Sequence, residues 1–193
     1  SWGASAATLA NVERLRSSEA VAVVTGQQVG LFTGPLYTLY KALSAVKLAG
    51  CLTAGGTEAV PVFWMATEDH DWEEVLSGEI IACDGRLAKV ALPAVLHEEG
   101  QPVGGVRLGE SVSEATARLA ELLPSSEFLP ELQSLVRDCY QPGRTHGEAF
   151  ARLLAALTGA YGLVLLEPSD ARPKRLAAPL YSEAARRAPE IAA

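Results

Sequence analysis

Val21-Ala22-Val23-Val24-Thr25-Gly26-Gln27-Gln28-Val29-Gly30-Leu31-Phe32-Thr33-Gly34-Pro35-Leu36 opens the stretch that decides the fold, which runs on to Gly50. Its first four residues are an apolar, largely β-branched run, the pattern of a strand buried on both faces. From Thr25 to Gly34 glycine recurs too often for either a strand or a helix, so a loop is expected. Pro35 then stands where a helix can begin, because its missing N–H has no partner there anyway. Leu36, Leu39, Tyr40, Leu43 and Val46 follow at helical spacing and predict a core stripe. Strand, glycine loop and helix in that order bring backbone N–H groups and a helix N-terminus to the carboxyl edge of a sheet. In open α/β folds, that edge is where anionic ligands bind.

Working outward, Ala59-Val60-Pro61-Val62-Phe63-Trp64-Met65-Ala66 is a second apolar strand, which completes a parallel βαβ unit. Before the first strand, Leu9, Val12 and Leu15 predict an amphipathic helix within Ser1 to Ala20. After the second, Glu79 to Cys83 and Leu87 to Leu92 flank Asp84-Gly85-Arg86, a hairpin signal. Pro93 to Gly109 reads as irregular, with a short extended piece at Val103 to Leu108. Val112 to Leu123 and Phe128 to Cys139 read as helices, with Ser111 and Ser126 as capping-type residues. Thr145 and Glu148 fit a capping box that opens an apolar helix through Tyr161, which Gly162 ends. Leu163 to Pro168 is a third buried strand. Arg172 to Ala193 is helical, with Leu176, Leu180 and Ala184 along one side.

The sum is an α/β fold with a parallel sheet and an inserted antiparallel hairpin with helices. The core spans 1–168, the insertion about 77–142, and a helical extension 169–193. At 193 residues, with 49% hydrophobic and 20% charged residues, the chain can bury an ordinary core. A net charge of -7 argues against a nucleic-acid or anionic-membrane binder. Cys51, Cys83 and Cys139 form no CxxC pair, so they read as buried or semi-buried free thiols of a reducing cytoplasm. No apolar run is long enough to span a bilayer. The absent initiator Met and a final helical pattern cut short read as an excised piece.

Three constellations offer chemistry. The glycine loop satisfies neither GxGxxG nor GxxxxGK[ST], so it is either a ligand loop or a plain turn. Tyr37, Lys41 and Ser44 line one helix face beside it, either to meet an anion or as a solvated face. Glu68-Asp69-His70-Asp71 directly follows the second strand. It fits either Mg²⁺ or general-base chemistry from His70, or an acidic turn with Asp71 as cap. It matches no zinc spacing. His97 and His146 read as surface or structural, and Arg144-Thr145-His146 needs no more than its capping role.

Together, VTGQQVGLFTGPLYTLYKALSAVKLA, VPVFWMATEDHDWEEV and CYQPGRTHGEAFARLLAALTGAYGLVLLEP closely resemble, in that order, the cysteine ligases of bacillithiol biosynthesis, the BshC family. The resemblance implies a Rossmann-like, nucleotidyltransferase-like core, connecting insertions, and a coiled coil that begins in the terminal helix and mediates a homodimer. It implies a cytoplasmic enzyme that joins cysteine to glucosaminyl-malate after ATP activates the cysteine carboxylate, with ATP or ADP bound and Mg²⁺ as an option. On these residues, Thr25, Gly26, Gln27, Gln28, Thr33, Gly34, Tyr37, Tyr40 and Glu68 are the expected substrate or nucleotide contacts. His70, Asp69, Asp71 and Lys41 are the expected catalytic groups; no metal ligand is assigned. Where the related superfamily carries a GxxHxGH-type signature, this chain has Gly34-Pro35-Leu36-Tyr37-Thr38-Leu39-Tyr40. Tyrosine hydroxyls and Lys41 would have to replace the imidazoles. Family members are much longer, so a piece of this length is expected to bind little and catalyse nothing alone. Rival readings are adenylyl transfer without ligation and a non-catalytic sugar- or nucleotide-binding module.

Overall fold

The computed structural model describes residues 2–93 and 101–191; His97 lies outside them. The elements in chain order are α1 (Ala6–Arg14), β1 (Val21–Gln27), α2 (Tyr37–Ala54), β2 (Ala59–Met65), α3 (Trp72–Val75), β3 (Ser77–Ile81), β4 (Leu87–Ala91), α4 (Ser111–Leu122), α5 (Leu129–Cys139), α6 (His146–Thr158), β5 (Val164–Leu166), α7 (Ala171–Arg186) and α8 (Ala188–Ile191). Strands β1, β2 and β5 form a parallel sheet in that spatial order, and β3 and β4 form an antiparallel pair. The expected βαβ unit and the hairpin at Asp84-Gly85 are both present.

β2 is central, and all its residues except Trp64 are buried. Phe63 and Met65 meet Ala42 of α2 and Phe150 and Leu154 of α6 in one apolar cluster. A buried phenylalanine contributes about 2 kcal/mol, so this cluster is what fixes the sheet against its helices. A second cluster joins Val90 and Leu92 of the hairpin region to Leu119, Val136, Tyr140 and Leu153. Leu31 belongs to the second cluster and Val29 to the first. The glycine loop therefore lies pinned between two cores.

Several expectations are corrected. β1 is not buried on both faces: Val21 and Val24 are 42% and 57% exposed. Among the described residues it pairs only with β2, so it is an edge strand of the sheet. β1 also runs through Thr25 and Gly26 to Gln27, three residues into the expected loop. α2 turns a different face inward from the one predicted. Thr38, Ala42, Ala45 and Ala49 are buried, while Leu36, Tyr40 and Leu43 are exposed. Small residues let the helix approach the sheet closely, and that contact overrides the hydrophobicity of the larger stripe. Leu39 and Val46 pack at its flanks. α1 is docked by polar groups instead of by Leu9 and Val12, which are exposed. Ser5 donates to the Gly159 carbonyl at 2.6 Å and Asn11 to that of Gly162 at 2.7 Å.

Neither Ser111 nor Ser126 caps a helix: the N-cap positions are Glu110 and Phe128, without side-chain bonds. Thr145 does cap α6, accepting the Glu148 N–H at 3.1 Å. Glu148 turns to Arg152 instead of closing the box. Gly162 adopts the left-handed conformation expected at that stop. Cys51 and Cys83 are exposed and only Cys139 is buried. Val103 to Gly105 is a 3₁₀ turn, and only Arg107 forms a bridge, to Thr145. α7 and α8 contribute no buried residue. Among the described residues, no helix is long and apolar enough to cross a membrane.

Candidate functional site

Parallel register brings the carboxyl ends of β1, β2 and β5 side by side: Gly26 opposes Trp64, and Trp64 opposes Leu166. Gly26 is required there, because a Cβ would lie 2.7 Å from the Trp64 carbonyl oxygen. Gln27 ends β1 and turns its amide toward α2. Its Nε2 donates to the Tyr37 hydroxyl at 3.0 Å, and its Oε1 accepts from Lys41 Nζ at 2.8 Å. Lys41 also reaches the Gly26 carbonyl at 3.3 Å and lies 5.2 Å from the centre of the Tyr37 ring. Lys41 thus reaches from its helix to the carboxyl end of β1, at Gly26 and Gln27. Tyr40 is 62% exposed and takes no part in the core.

Gln28 crosses to the second stretch. Its Nε2 donates to Asp69 Oδ2 at 2.6 Å. Asp69 Oδ1 in turn accepts the N–H of His70 at 2.7 Å and of Asp71 at 3.3 Å. That Asx turn is an ordinary local device for reversing a chain after a strand. The Gln28 amide, followed by those two N–H groups, holds the Asp69 carboxyl below its usual range against the opposing effect of burial. His70 and Asp71 are exposed, with α3 beginning one residue later. Glu68 is ion-paired with Lys174 of α7.

The loop beyond Gln28 is strained. Phe32 and Thr33 both have positive φ, 54° and 78°, followed by Gly34 at 68°. Non-glycine residues held there cost about 1–3 kcal/mol each and persist only when surroundings impose them. Gly30 and Gly34 touch backbone to backbone: a Cβ on Gly30 would lie 2.7 Å from the Gly34 Cα. Thr33 is buried, and its N–H, like that of Phe32, is directed at the Tyr140 hydroxyl. The Gly34 N–H is bonded to the Leu31 carbonyl at 2.9 Å. The loop's N–H groups at these three positions are thus engaged within the fold.

The structure therefore forms two bonded groups, Gln27 with Tyr37 and Lys41 and Gln28 with Asp69, joined through the consecutive glutamines, with Glu68, His70 and Asp71 next to Asp69 in sequence. Thr25 stays in the sheet opposite Phe63. Two groups at this edge were missed. Glu167 follows β5 as the acidic run follows β2. It accepts from the Thr67 hydroxyl and from Ser169 Oγ at 2.6 Å. Asking of the third strand what was asked of the second would have found it. Lys174 carried no signal, because its partner Glu68 is 106 positions earlier by their residue numbers.

Among the described residues no three His, Cys, Asp or Glu side chains converge as a metal site. Both oxygens of Asp69 are bonded within the protein and Glu68 is paired, so no protein cage for Mg²⁺ is offered here.

The whole chain, residues 1–193, matches the family described as "Bacillithiol biosynthesis BshC, N-terminal Rossmann-like domain". Among similar proteins, the "Putative cysteine ligase BshC" of Koribacter versatilis is 45% identical over 190 residues, covering 98% of this chain and 35% of that protein. The protein of the same name from Salinibacter ruber is 41% identical over 181 residues, covering 93% and 33% respectively. That from Chlorobaculum tepidum is 43% identical over 168 residues, covering 86% and 30%. The chain thus spans about a third of the length of these relatives. The Rossmann-like parallel sheet and a match that leaves no residue out agree: this chain belongs to the BshC family, as its N-terminal Rossmann-like domain.

Proposed function

We propose that the chain forms the Rossmann-like part of a ligase that joins cysteine to glucosaminyl-malate, giving bacillithiol, with ATP activating the cysteine carboxylate. The observation that carries the reading is the 2.6 Å bond between Gln28 and Asp69. It makes one site of the two stretches through which the chain resembles its family, and the relatives bear the name of cysteine ligases.

Amide formation needs an activated carboxyl. The sugar amine attacks that carbon, a C–N bond forms, the C–O bond to phosphorus breaks, and the amine gives up its proton. Exposed His70 accepts that proton, with Asp69 fixing the backbone on which it sits. Lys41 offers positive charge to the phosphate-bearing group. Binding an anion there exchanges its contacts with Gln27 and the Gly26 carbonyl, which frees the Gln27 amide to meet the ligand. Tyr37 and Tyr40 supply hydroxyls on the same helix. Mg²⁺ would enter with the nucleotide phosphates, since carboxylates plus substrate phosphates are its usual ligands. α7, with Leu176 83% exposed, would begin the coiled coil through which the intact protein dimerises.

His70→Ala in the intact protein should abolish bacillithiol formation, followed by mass spectrometry, without lowering the melting temperature; retained turnover removes His70 from the mechanism. Pyrophosphate or phosphate release should require cysteine. Release at full rate without it would replace ligation by adenylyl transfer.

A further inference from the structure

Arg144-Thr145-His146 needs no more than a capping role from its sequence, yet Tyr140 and His146, on either side of the turn at 141–145, both reach the glycine loop. The Tyr140 hydroxyl accepts the Phe32 N–H at 2.9 Å, 108 positions away in sequence. The Tyr140 ring meets Phe32 edge-on, with centroids 5.0 Å apart. His146 Nε2–H donates to the Val29 carbonyl at 2.5 Å, across 117 positions. Both side chains are 2% exposed. Every non-glycine left-handed residue among those described falls inside this bracket, at Phe32 and Thr33.

The turn itself is rigidly placed. Gly143 N–H bonds the Leu108 carbonyl, Leu108 N–H the Arg144 carbonyl, and His146 N–H the Val106 carbonyl, each at 2.8 Å. Arg144 adds bonds to the carbonyls of Asp138 and Cys139 at the end of α5. A loop that would otherwise relax out of left-handed backbone is thus fixed at two points by a braced segment.

We infer that Tyr140 and His146 are positioning residues of the active site. They hold Val29 to Thr33 so that Gln28 reaches Asp69 and Gln27 meets Lys41. Val29, whose carbonyl His146 holds, directly follows Gln28, so loosening it releases the bond that joins the two halves of the site. This inference rests on the ligase reading for its kinetic consequence, but not for its structural one.

Tyr140→Phe tests it most cleanly, because it deletes one oxygen and keeps the ring against Phe32. His146→Leu removes the donor, and His146→Gln restores one at the Nε2 position. Amide hydrogen exchange on the intact, ligand-free protein should accelerate at least tenfold at residues 29–33 in Y140F and H146L, with the cores unchanged. H146Q should recover most of that protection. Steady-state kinetics should show the KM for ATP raised about tenfold in Y140F with kcat within threefold. Unchanged exchange at residues 29–33 in Y140F overturns the inference, even if H146L proves unable to fold. Faster exchange with unchanged kcat and KM confirms the bracket and instead overturns the placement of the glycine loop in the active site.

Discussion

The two connections at the ligand edge of the sheet follow neighbouring strands and are bonded to each other, yet they are built in opposite ways. The one after β1 is largely buried, adopts left-handed backbone at two non-glycine residues, and is held by side chains from far along the chain. The one after β2 leaves Glu68, His70 and Asp71 exposed, contains no positive φ, and folds around its own Asp69 carboxylate. One connection supplies geometry and the other supplies titratable groups. Separating these tasks lets acidic and imidazole side chains stay solvated while the amides facing them are fixed.

The comparison breaks most visibly at Gly30. An alanine there would press its Cβ against the Gly34 backbone at 2.7 Å, where no flexible side chain can yield. Gly30→Ala should lower stability by about 3 kcal/mol, measured by urea denaturation. Gly50, inside α2 with nothing within 4 Å of an added Cβ, is the matched control. Gly50→Ala should raise stability by about 0.8 kcal/mol through helix propensity. Equal effects at both positions would show that the Gly30–Gly34 contact imposes nothing.

A smaller effect separates the two connections by pH. His146 is buried, its Nε2–H is given to Val29, and its Nδ1 has no hydrogen-bond partner among the described residues. Burial pushes its pKa down from 6.5 to about 4. Between those values the unfolded chain binds the proton and the folded one does not, so stability falls with falling pH through that window. The loss should reach about 2 kcal/mol by about pH 4.5 and should vanish in His146→Gln. Asp69 is shifted in the same direction, but over a more acidic window. Its folded pKa lies below 3.8, so the stability it contributes is present above that value and is lost only under stronger acid. Acid therefore loosens the loop after β1 before it protonates Asp69.

How much of this was legible in the sequence follows from how local each feature is. The βαβ unit, the Asp84-Gly85 hairpin, the Thr145 cap and the Gly162 stop are written in spacing, turn chemistry and apolar runs a few residues long. The inward face of α2 was misread because hydrophobicity pointed to Leu36, Tyr40 and Leu43. Close packing on the sheet instead selected Thr38, Ala42, Ala45 and Ala49. The burial of β1 was misread because apolar composition does not reveal whether a strand lies at an edge. At the candidate site, the sequence pattern pointed to the glutamine pair, Lys41 and the acidic run, but not to the bond from Gln28 to Asp69. Tyr140, His146 and Lys174 act on positions over a hundred residues away, and no periodicity encodes such a pairing.

Gln28→Ala tests the join itself. Asp69 loses the largest of the influences that lower its pKa, so its titration should move up toward 3.8, followed by carboxyl chemical shifts in NMR. Stability should fall by about 1 kcal/mol. An unmoved Asp69 would mean that the two N–H groups of its own turn already suffice, leaving the connections independent.

Lys41→Met pairs a small stability effect with a clear effect on binding. The Lys41 ammonium lies on the surface, where its bonds to the Gly26 carbonyl and Gln27 Oε1 compete with water. Its loss should change stability by less than about 0.5 kcal/mol, because the methionine stem can still cover the Tyr37 ring. Binding should respond differently. An anion displaced into a partly desolvated edge depends on each charge that faces it, so ATP affinity of the intact protein should fall about tenfold by calorimetry. The weakening should shrink as salt rises, since part of the contribution is long-range attraction. If affinity and salt dependence both stay at the parent value, Lys41 is only a brace for Gln27. On the ligase reading, the positive charge that meets the phosphate-bearing group must then come from elsewhere, with Lys174, already paired with Glu68 at the same edge, next to be tested.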